Sequence, residues 1–248
     1  MRIQKYLAKH SAFSRREIER MIVEKKIKIN QDFAQIGQLV STNDIIHYAG
    51  QEHVVDCTIP TERSVIMINK PLGVICSNKD PDNRPSIYDL VPDDETWFAV
   101  GRLDINTSGL ILFTTDGTFA NQLMHPRYGV NRTYHVRVYG SNSLQSVKRL
   151  LDGVKIDGKM LRFRSCIPIK SSTTSKNQWF EVVTCTGQYR LVRRLWESCG
   201  CEVSRLIRVS YGPIQLPSSL KEGQTRLLSD NDIKQLERVI RHEDTGKS

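Results

Sequence analysis

Apolar residues near the start of the chain recur at helical spacing. Ser14 and Glu17 have the Ser-x-x-Glu form of a capping box, in which each side chain accepts a hydrogen bond from the other residue's backbone at a helix start. Ile18, Met21 and Ile22 follow at the spacing that forms one buried stripe, so an amphipathic helix is predicted here. After it, apolar runs and turn signals predict short strands at 27–29, 38–40 and 44–48.

A polar stretch without periodicity, residues 56–64, contains Pro60 and predicts a linker. It separates a small domain, residues 1–55, from a larger one, residues 65–248. In the larger domain, hairpin-like strand pairs alternate with single helices, which is typical of an α+β fold with a largely antiparallel sheet. The predicted strands are 65–69, 110–115, 133–139, 161–169, 179–185 and 203–211, the helices 119–124, 144–151, 191–196 and 233–240, and the loops 80–85 and 171–177.

The chain carries an excess of positive charge. Its 248 residues include 36 Lys and Arg against 27 Asp and Glu, which gives a formal net charge of +9. A surplus of this size favours a polyanionic partner, either nucleic acid or an anionic membrane. The first helix has too few large apolar residues to bind a membrane, which favours nucleic acid. The residues expected to contact the nucleic acid are Arg15, Arg16, Arg20, Lys25 and Lys26, with Arg127, Arg132, Arg205 and Arg208 as weaker candidates in the larger domain.

Charged residues occur near the start of the chain, before an apolar run of the kind found in a signal peptide or a membrane span can form. We therefore expect neither a secretory signal nor a membrane span, and a cytoplasmic location. The six cysteines contain no Cys-x-x-Cys pair and most lie in apolar stretches, so we expect buried thiols in a reducing compartment. The six histidines show no ligand spacing, so no metal site is predicted. Nothing in the sequence demands more than a monomer.

Residues 101–110 form the segment richest in candidate chemistry. Asp104 follows an apolar strand, in a loop bracketed by Gly101 and Gly109, where a rigid sheet could present its carboxylate at the floor of a cleft. The same pattern is typical of an Asx turn, in which the carboxylate bonds to the backbone that follows it. The local pattern leaves both interpretations open and by itself favours the turn.

This segment, continued by residues 114–117, resembles the signature of the RsuA-like branch of the pseudouridine synthases. Residues 1–50 resemble the S4 RNA-binding domain that precedes the catalytic domain in that branch. The resemblance implies a small α/β S4 domain, followed by a synthase domain with a mainly antiparallel mixed sheet flanked by helices. Several ordered blocks are more specific than one, and they favour a catalytic Asp104. The other family blocks occur in the right order at 69–73, 132–136 and 192–197.

Within that branch, four blocks are most similar to synthases that act on 23S rRNA of the large subunit: 78–81, 123–126, 194–197 and 204–208. Residues 188–191, Gln-Tyr-Arg-Leu, depart from the Arg-Asn-Arg-Glu expected there. An enzyme for 16S rRNA of the small subunit therefore stays an alternative. A second alternative is a non-catalytic S4-type ribosome-assembly factor that binds RNA, against which the intact Asp104, Tyr134 and Arg193 argue.

The resemblance implies isomerisation of a uridine already in RNA. The bond between C1′ and N1 breaks, the uracil turns within the pocket, and C5 bonds to C1′. No atom is gained or lost overall, so no cofactor is implied. One carboxylate suffices, and by family position it is Asp104, acting as nucleophile or as the base that starts glycal formation. The sequence leaves these two mechanisms open.

Family positions also imply roles for residues around that carboxylate. Arg193 corresponds to an arginine that keeps it charged, which a bidentate guanidinium suits, whereas Arg190 is expected on a solvated helix face. Tyr134 corresponds to the tyrosine that stacks on the target uracil, with Leu206 beneath that ring. Arg102 corresponds to the arginine that enters the space left by the flipped base, or else contacts phosphate. The implied partner is ribosomal RNA, as 23S rRNA or a large-subunit precursor.

Overall fold

The computed structural model of this chain describes residues 1–11, 13–56, 63–77, 80–93, 95–140, 143–169 and 177–244. The chain divides into two compact units, Met1–Glu62 and Arg63–Ser248. Most of the linker predicted at 56–64 and most of the hairpin tip predicted at 171–177 lie outside the described residues.

In the first unit, two helices accompany a four-stranded antiparallel sheet with strand order β2-β1-β3-β4. The predicted capping box is confirmed: the Ser14 hydroxyl accepts from the Glu17 backbone, and the Glu17 carboxylate accepts from the Ser14 backbone at 2.7 Å. Ile18 and Ile22 are buried, as their spacing predicts. The elements are α1 (Ile3–His10), α2 (Arg15–Val23), β1 (Ile27–Ile29), β2 (Asp32–Phe33), β3 (Ile45–Tyr48) and β4 (Gln51–Val54).

Three features of this unit differ from the prediction. Helix α1 was missed because its N-cap, Arg2, makes no side-chain capping bond and no acidic residue follows in the first turn, so the start signals are absent. Residues 38–40 do not form a strand; Leu39 makes only an isolated bridge with Arg2. Strand β4 was also missed, because its residues are mostly polar and exposed.

The second unit is built on a nine-stranded sheet, with order β11-β12-β8-β13-β7-β5-β15 and with β6 and β14 paired to β7 and β13. Among the described strands, β7 and β13 form the one parallel pair, so the expected mainly antiparallel α+β fold is confirmed. The elements are β5 (Val65–Lys70), β6 (Phe98–Ala99), β7 (Ser108–Thr114), α3 (Gly117–Met124), β8 (Arg132–Tyr139), α4 (Ser143–Asp152), β9 (Val154–Ile156), β10 (Lys159–Leu161), β11 (Ser165–Ile169), β12 (Asn177–Thr184), α5 (Leu191–Glu197), β13 (Glu202–Tyr211), β14 (Ile214–Gln215), β15 (Thr225–Leu227) and α6 (Asp230–Asp244).

Strands β5 and β7 are buried on both faces. On one face, Leu110 and Leu112 pack in a core that also contains apolar residues of α3 and α6. On the other face, Ile111 and Phe113 pack with Leu103, which belongs to the loop between β6 and β7. The burial of Leu103 therefore anchors that loop against the sheet, and Asp104 is the next residue.

Buried thiols were expected, and the structure shows a mixture. Cys166 and Cys201 are buried, and burial raises the pKa of Cys166 to about 12. Cys76, Cys185 and Cys199 are half-buried, and Cys57 lies outside the described residues. Within the described ranges, no helix is both long and apolar enough to cross a membrane.

The parallel contact between β7 and β13 requires a glycine. Gly109 pairs with Arg208 and has a φ of +105°, and a Cβ atom there would lie 2.3 Å from the Arg208 carbonyl oxygen. Backbone atoms cannot swing aside as a flexible side chain can. The two strands therefore reach this separation only because position 109 has no side chain.

We predict that Gly109→Ala destabilises the second unit more than Gly158→Ala does. Gly158 also has a positive φ, +76°, but a Cβ there would meet nothing within 4 Å. Gly158→Ala should cost only the left-handed backbone strain of about 1–2 kcal/mol, whereas Gly109→Ala adds an overpacking cost of about 1–3 kcal/mol. Thermal unfolding followed by tryptophan fluorescence measures the difference, because Trp97, Trp179 and Trp196 all lie in the second unit. Equal destabilisation by the two substitutions would contradict the proposed clash.

Candidate catalytic pocket

Backbone hydrogen bonds hold the loop that carries Asp104. The Leu103 N–H donates to Cys76 Sγ at 3.4 Å, and the Gly73 N–H donates to the Ile105 carbonyl at 3.0 Å. The turn itself is closed by the Thr107 N–H, which donates to the Asp104 backbone carbonyl at 2.9 Å. A main-chain hydrogen bond therefore closes the turn, and the Asp104 carboxylate does not form an Asx turn.

Asp104 borders two cavities. The first, of about 540 Å³, is lined by Asp104 together with Arg102, Tyr134 and Leu206. The second, of about 490 Å³, is lined by Asp104 and Arg102 together with Arg193. The structure thus brings the five site residues expected from sequence to two cavities that share the carboxylate. Tyr134 is half-buried and Leu206 is buried, whereas Arg102 is exposed.

The bidentate pair expected between Arg193 and Asp104 is not formed. The Arg193 guanidinium donates instead to the carbonyls of Val203 and Asn106, each at 2.7 Å. Burial lowers the pKa of Arg193 and the charge of Arg190 acts in the same direction, whereas the negative charge of Asp104 opposes this lowering. Arg193 is therefore near enough to influence the carboxylate, but its hydrogen bonds hold the loop at Asn106.

A second cation near Asp104 was not predicted from the sequence. Lys70 ends strand β5 and is fully buried, and its Nζ donates to the Pro71 and Thr107 carbonyls at 2.9 Å. Burial lowers the pKa of Lys70, and electrostatic interactions with Cys76, Asp104 and Glu222 oppose this lowering. The sequence signal was a lysine that directly continues the apolar strand, inside the block 69–73.

Two of the weaker RNA-binding candidates are not on the surface. Arg132 and Arg208 are 6% and 2% exposed, so the expectation that they contact phosphate there is wrong. Arg132 donates to the Tyr211 hydroxyl at 3.1 Å, and Arg208 donates through Nε to the Leu110 carbonyl at 2.6 Å. Arg132 lies on the same face of β8 as the buried Val136 and Val138, and Arg208 on the same face of β13 as Leu206. These arginines were expected on the surface because charged side chains are rarely buried unless they are paired. Arg127 and Arg205 are exposed, as expected.

Asp80 is the other acidic residue of the second cavity, and it is already paired. The Arg84 guanidinium donates to its two carboxylate oxygens at 2.9 and 2.5 Å, and the Arg84 backbone N–H donates at 2.8 Å. These bonds lower the pKa of Asp80 to about 2. By contrast, Asp104 forms no hydrogen bond or ion pair through its carboxylate with the described residues, so it is the unpaired acid of the two.

We predict that Arg84→Gln raises the pKa of Asp80 from about 2 toward its ordinary value of 3.8. Because the folded-state pKa is lowered, the pair stabilises the loop above pH 3.8, and this stabilisation is lost as pH falls through about 2. A pH titration of the carboxyl carbons by NMR measures the shift. Asp44 of the first unit is the internal control, because its pKa is lowered by the Ser41 backbone and Asn30, and it should not change. An unchanged Asp80 would contradict the assignment of Arg84 as the cause.

The first unit carries the expected basic surface. The basic residues predicted on and after α2 are all exposed: Arg15, Arg16, Arg20, Lys25 and Lys26. Glu24 forms ion pairs with Lys26 at 2.6 Å and with Arg20 at 4.0 Å. Phe33 was not predicted to belong to this surface, but it is 50% exposed and has the ammonium of Lys28 above its ring at 4.9 Å. An exposed aromatic ring among lysines can stack on an unpaired base.

Across the described ranges, no three His, Cys, Asp or Glu side chains converge in a group that could hold a metal ion.

Two protein families match this chain, one in each of its two units. The RNA pseudouridylate synthase family matches residues 64–198, and the S4 domain matches residues 1–46. The ribosomal large subunit pseudouridine synthase B of Pseudomonas aeruginosa is 42% identical over 234 residues, covering 94% of this chain and 60% of that protein. The protein of the same name from Buchnera aphidicola subsp. Baizongia pistaciae is 39% identical over 236 residues, covering 94% of this chain and 95% of that protein.

The solved structures include a similar chain of nearly the same extent. A crystal structure of a pseudouridylate synthase aligns with a TM-score of 0.63 at 25% identity, covering 95% of this chain and 99% of that one.

Proposed function

Because the chain belongs to the RNA pseudouridylate synthase family, we propose that it isomerises uridine to pseudouridine in 23S rRNA of the large ribosomal subunit. The observation that carries this proposal is the unpaired carboxylate of Asp104, which lines one cavity with Tyr134 and Leu206. Identity of about 40% to large-subunit synthases, over 94% of the chain, supports 23S rRNA as the substrate.

The proposed reaction needs an ionised carboxylate that can reach the ribose. Breaking the C1′–N1 bond releases uracil, which turns and bonds to C1′ through C5; the C5 proton leaves and N1 regains a proton. Asp104 serves either as the nucleophile at C1′ or as the base that removes a ribose proton to give a glycal. Both roles require carboxylate oxygens that are not occupied by an ion pair, which is the state of Asp104 among the described residues.

The neighbouring cations suit this requirement. Lys70 and Arg193 donate to carbonyls of the loop at Thr107 and Asn106, so they position Asp104 without occupying its carboxylate oxygens. Arg193 is thus proposed as a positioning residue and not as a direct partner of the carboxylate.

The first cavity suits a nucleotide taken out of its stack. Its volume of about 540 Å³ is within the range of small-molecule sites, about 300–1,000 Å³. The half-buried ring of Tyr134 lies on β8, two residues before Val136, which pairs with Leu206 of β13. We assign the uracil to the Tyr134 ring with Leu206 packed beside it. Arg102, exposed at the mouth, is assigned to the space that the flipped base leaves or to its phosphate.

We predict that Asp104→Asn abolishes tritium release from C5-labelled uridine in a 23S rRNA transcript. Loss of a nucleophile or general base should lower the single-turnover rate by about 10²–10⁴-fold. Asp152→Asn is the control, because Asp152 is exposed at the end of α4 and lines neither cavity. Equal release by wild type and Asp104→Asn would remove Asp104 from its role. Absence of release by wild type on 23S and 16S transcripts alike would favour a non-catalytic RNA-binding factor.

We predict that the basic surface of the first unit contributes salt-dependent affinity for RNA. Replacing Arg15, Arg16, Arg20, Lys25 and Lys26 together by Gln should weaken binding and flatten the plot of log affinity against log salt, by about 0.7–0.9 for each phosphate that is no longer neutralised. The double variant Lys234→Gln with Arg238→Gln, on an exposed part of α6, is the control for loss of charge alone. If both variants change the slope of log affinity against log salt equally for each charge removed, the five residues are not the main RNA-binding surface.

A further inference from the structure

The rim shared by the two cavities carries a tyrosine to which the synthase proposal gives no role. Tyr189 lines both cavities and is 68% exposed, more than any other tyrosine that the structure describes. It lies in residues 188–191, the segment whose sequence departs from the family block. Within the part of the chain that the structure describes, its ring and hydroxyl make no hydrogen bond, ion pair or aromatic contact. Packing within the fold therefore does not explain this side chain.

The charges around Tyr189 suit an RNA backbone. The second cavity is lined by Arg84, Arg102, Arg190 and Arg193, against the carboxylates of Asp80 and Asp104. Arg84 is committed to Asp80, and Arg193 is committed to two backbone carbonyls. Arg102 and Arg190 remain exposed at the rim.

Arg190 is held next to Tyr189 but only loosely paired. It has a φ of +49° and immediately precedes α5. Its nearest carboxylate is Glu197 at 3.8 Å, an exposed contact of the kind that contributes little. Its charge also lowers the pKa of Arg193, so two like charges lie close together, and Asp104 and Glu197 offset this effect on Arg193 only in part. A phosphate at this rim would relieve that repulsion.

An exposed aromatic ring beside an exposed arginine is a common arrangement for binding single-stranded RNA. The ring stacks on a base and the guanidinium contacts phosphate. A uridine that enters the first cavity stays covalently joined to a nucleotide on each side. Those neighbours must lie outside the cavity, near its exposed lining residues, which include Tyr189 and Arg190.

We propose that Tyr189 stacks on the base of a nucleotide adjacent to the target uridine, and that Arg190 contacts the phosphate joining the two. The inference rests on the proposed synthase function and extends it to a residue that selects the local RNA conformation. Because every base has a flat face, the stack depends on the presence of an unpaired neighbouring base more than on its identity.

The test compares Tyr189→Ala and Tyr189→Phe with wild type on synthetic RNA hairpins. The hairpins carry the uridine that wild type modifies in a 23S rRNA transcript, with either the natural neighbours or an abasic residue on the 5′ or the 3′ side. Single-turnover tritium release gives the plateau rate and the half-saturating RNA concentration. Tyr139→Ala is the matched control, because Tyr139 is 49% exposed and lines neither cavity.

On the natural hairpin, Tyr189→Ala should raise the half-saturating concentration about fivefold or more, the effect of losing one base–aromatic stack. Its plateau rate should stay within about twofold of wild type, and Tyr189→Phe and Tyr139→Ala should behave as wild type. On one of the two abasic hairpins, wild type should weaken by a similar factor, and Tyr189→Ala should weaken no further.

Three results would overturn the proposal. If Tyr189→Ala and wild type differ by the same factor on all three hairpins, the ring does not stack on either neighbour. If Tyr189→Phe weakens binding as much as Tyr189→Ala, the hydroxyl acts and not the ring. If wild type releases no tritium from any rRNA transcript, both the proposed synthase function and the stacking role are wrong. If wild type is active and either of the first two results is found, only the stacking role is wrong.

Discussion

The parallel contact between β7 and β13 joins the two halves of the nine-stranded sheet, and the candidate site exists only where those halves meet. Asp104 comes from the loop that enters β7, whereas Tyr134 and Leu206 lie on β8 and β13. The contact depends on Gly109, because a Cβ there would collide with the carbonyl of Arg208. The absence of one side chain therefore allows the two strands beside the candidate site to pair.

The cations near Asp104 bind the backbone of its loop and do not form an ion pair with its carboxylate. Lys70 and Arg193 are buried or half-buried cations, and both donate their hydrogen bonds to backbone carbonyls of the Asp104 loop. They hold the loop, but they leave the carboxylate oxygens unoccupied. A direct bidentate pair would occupy the carboxylate oxygens that the proposed reaction uses. Asp80 shows the contrast, since Arg84 binds both of its oxygens.

Local signals in the sequence predicted the elements that have strong local causes. The capping box at Ser14 and Glu17 predicted the start of α2, and the helix predicted at 191–196 is α5, whose Leu191, Leu195 and Trp196 are buried. Elements without such signals were missed. Helix α1 has no side-chain cap, and β4 is mostly polar and exposed. Both depend on tertiary contacts, which override weak local preference.

The sequence by itself determined the charge balance and the order of the family blocks, because these depend only on residue types and their order along the chain. The order of the blocks, and not the local pattern, made Asp104 the candidate carboxylate. Only the tertiary structure decided that Arg132 and Arg208 are buried, that Arg193 bonds to carbonyls instead of Asp104, and that Tyr189 stands exposed at a shared rim. These outcomes depend on which strands lie side by side. Pairing between strands far apart in the chain is set by packing and backbone approach, which local periodicity does not encode.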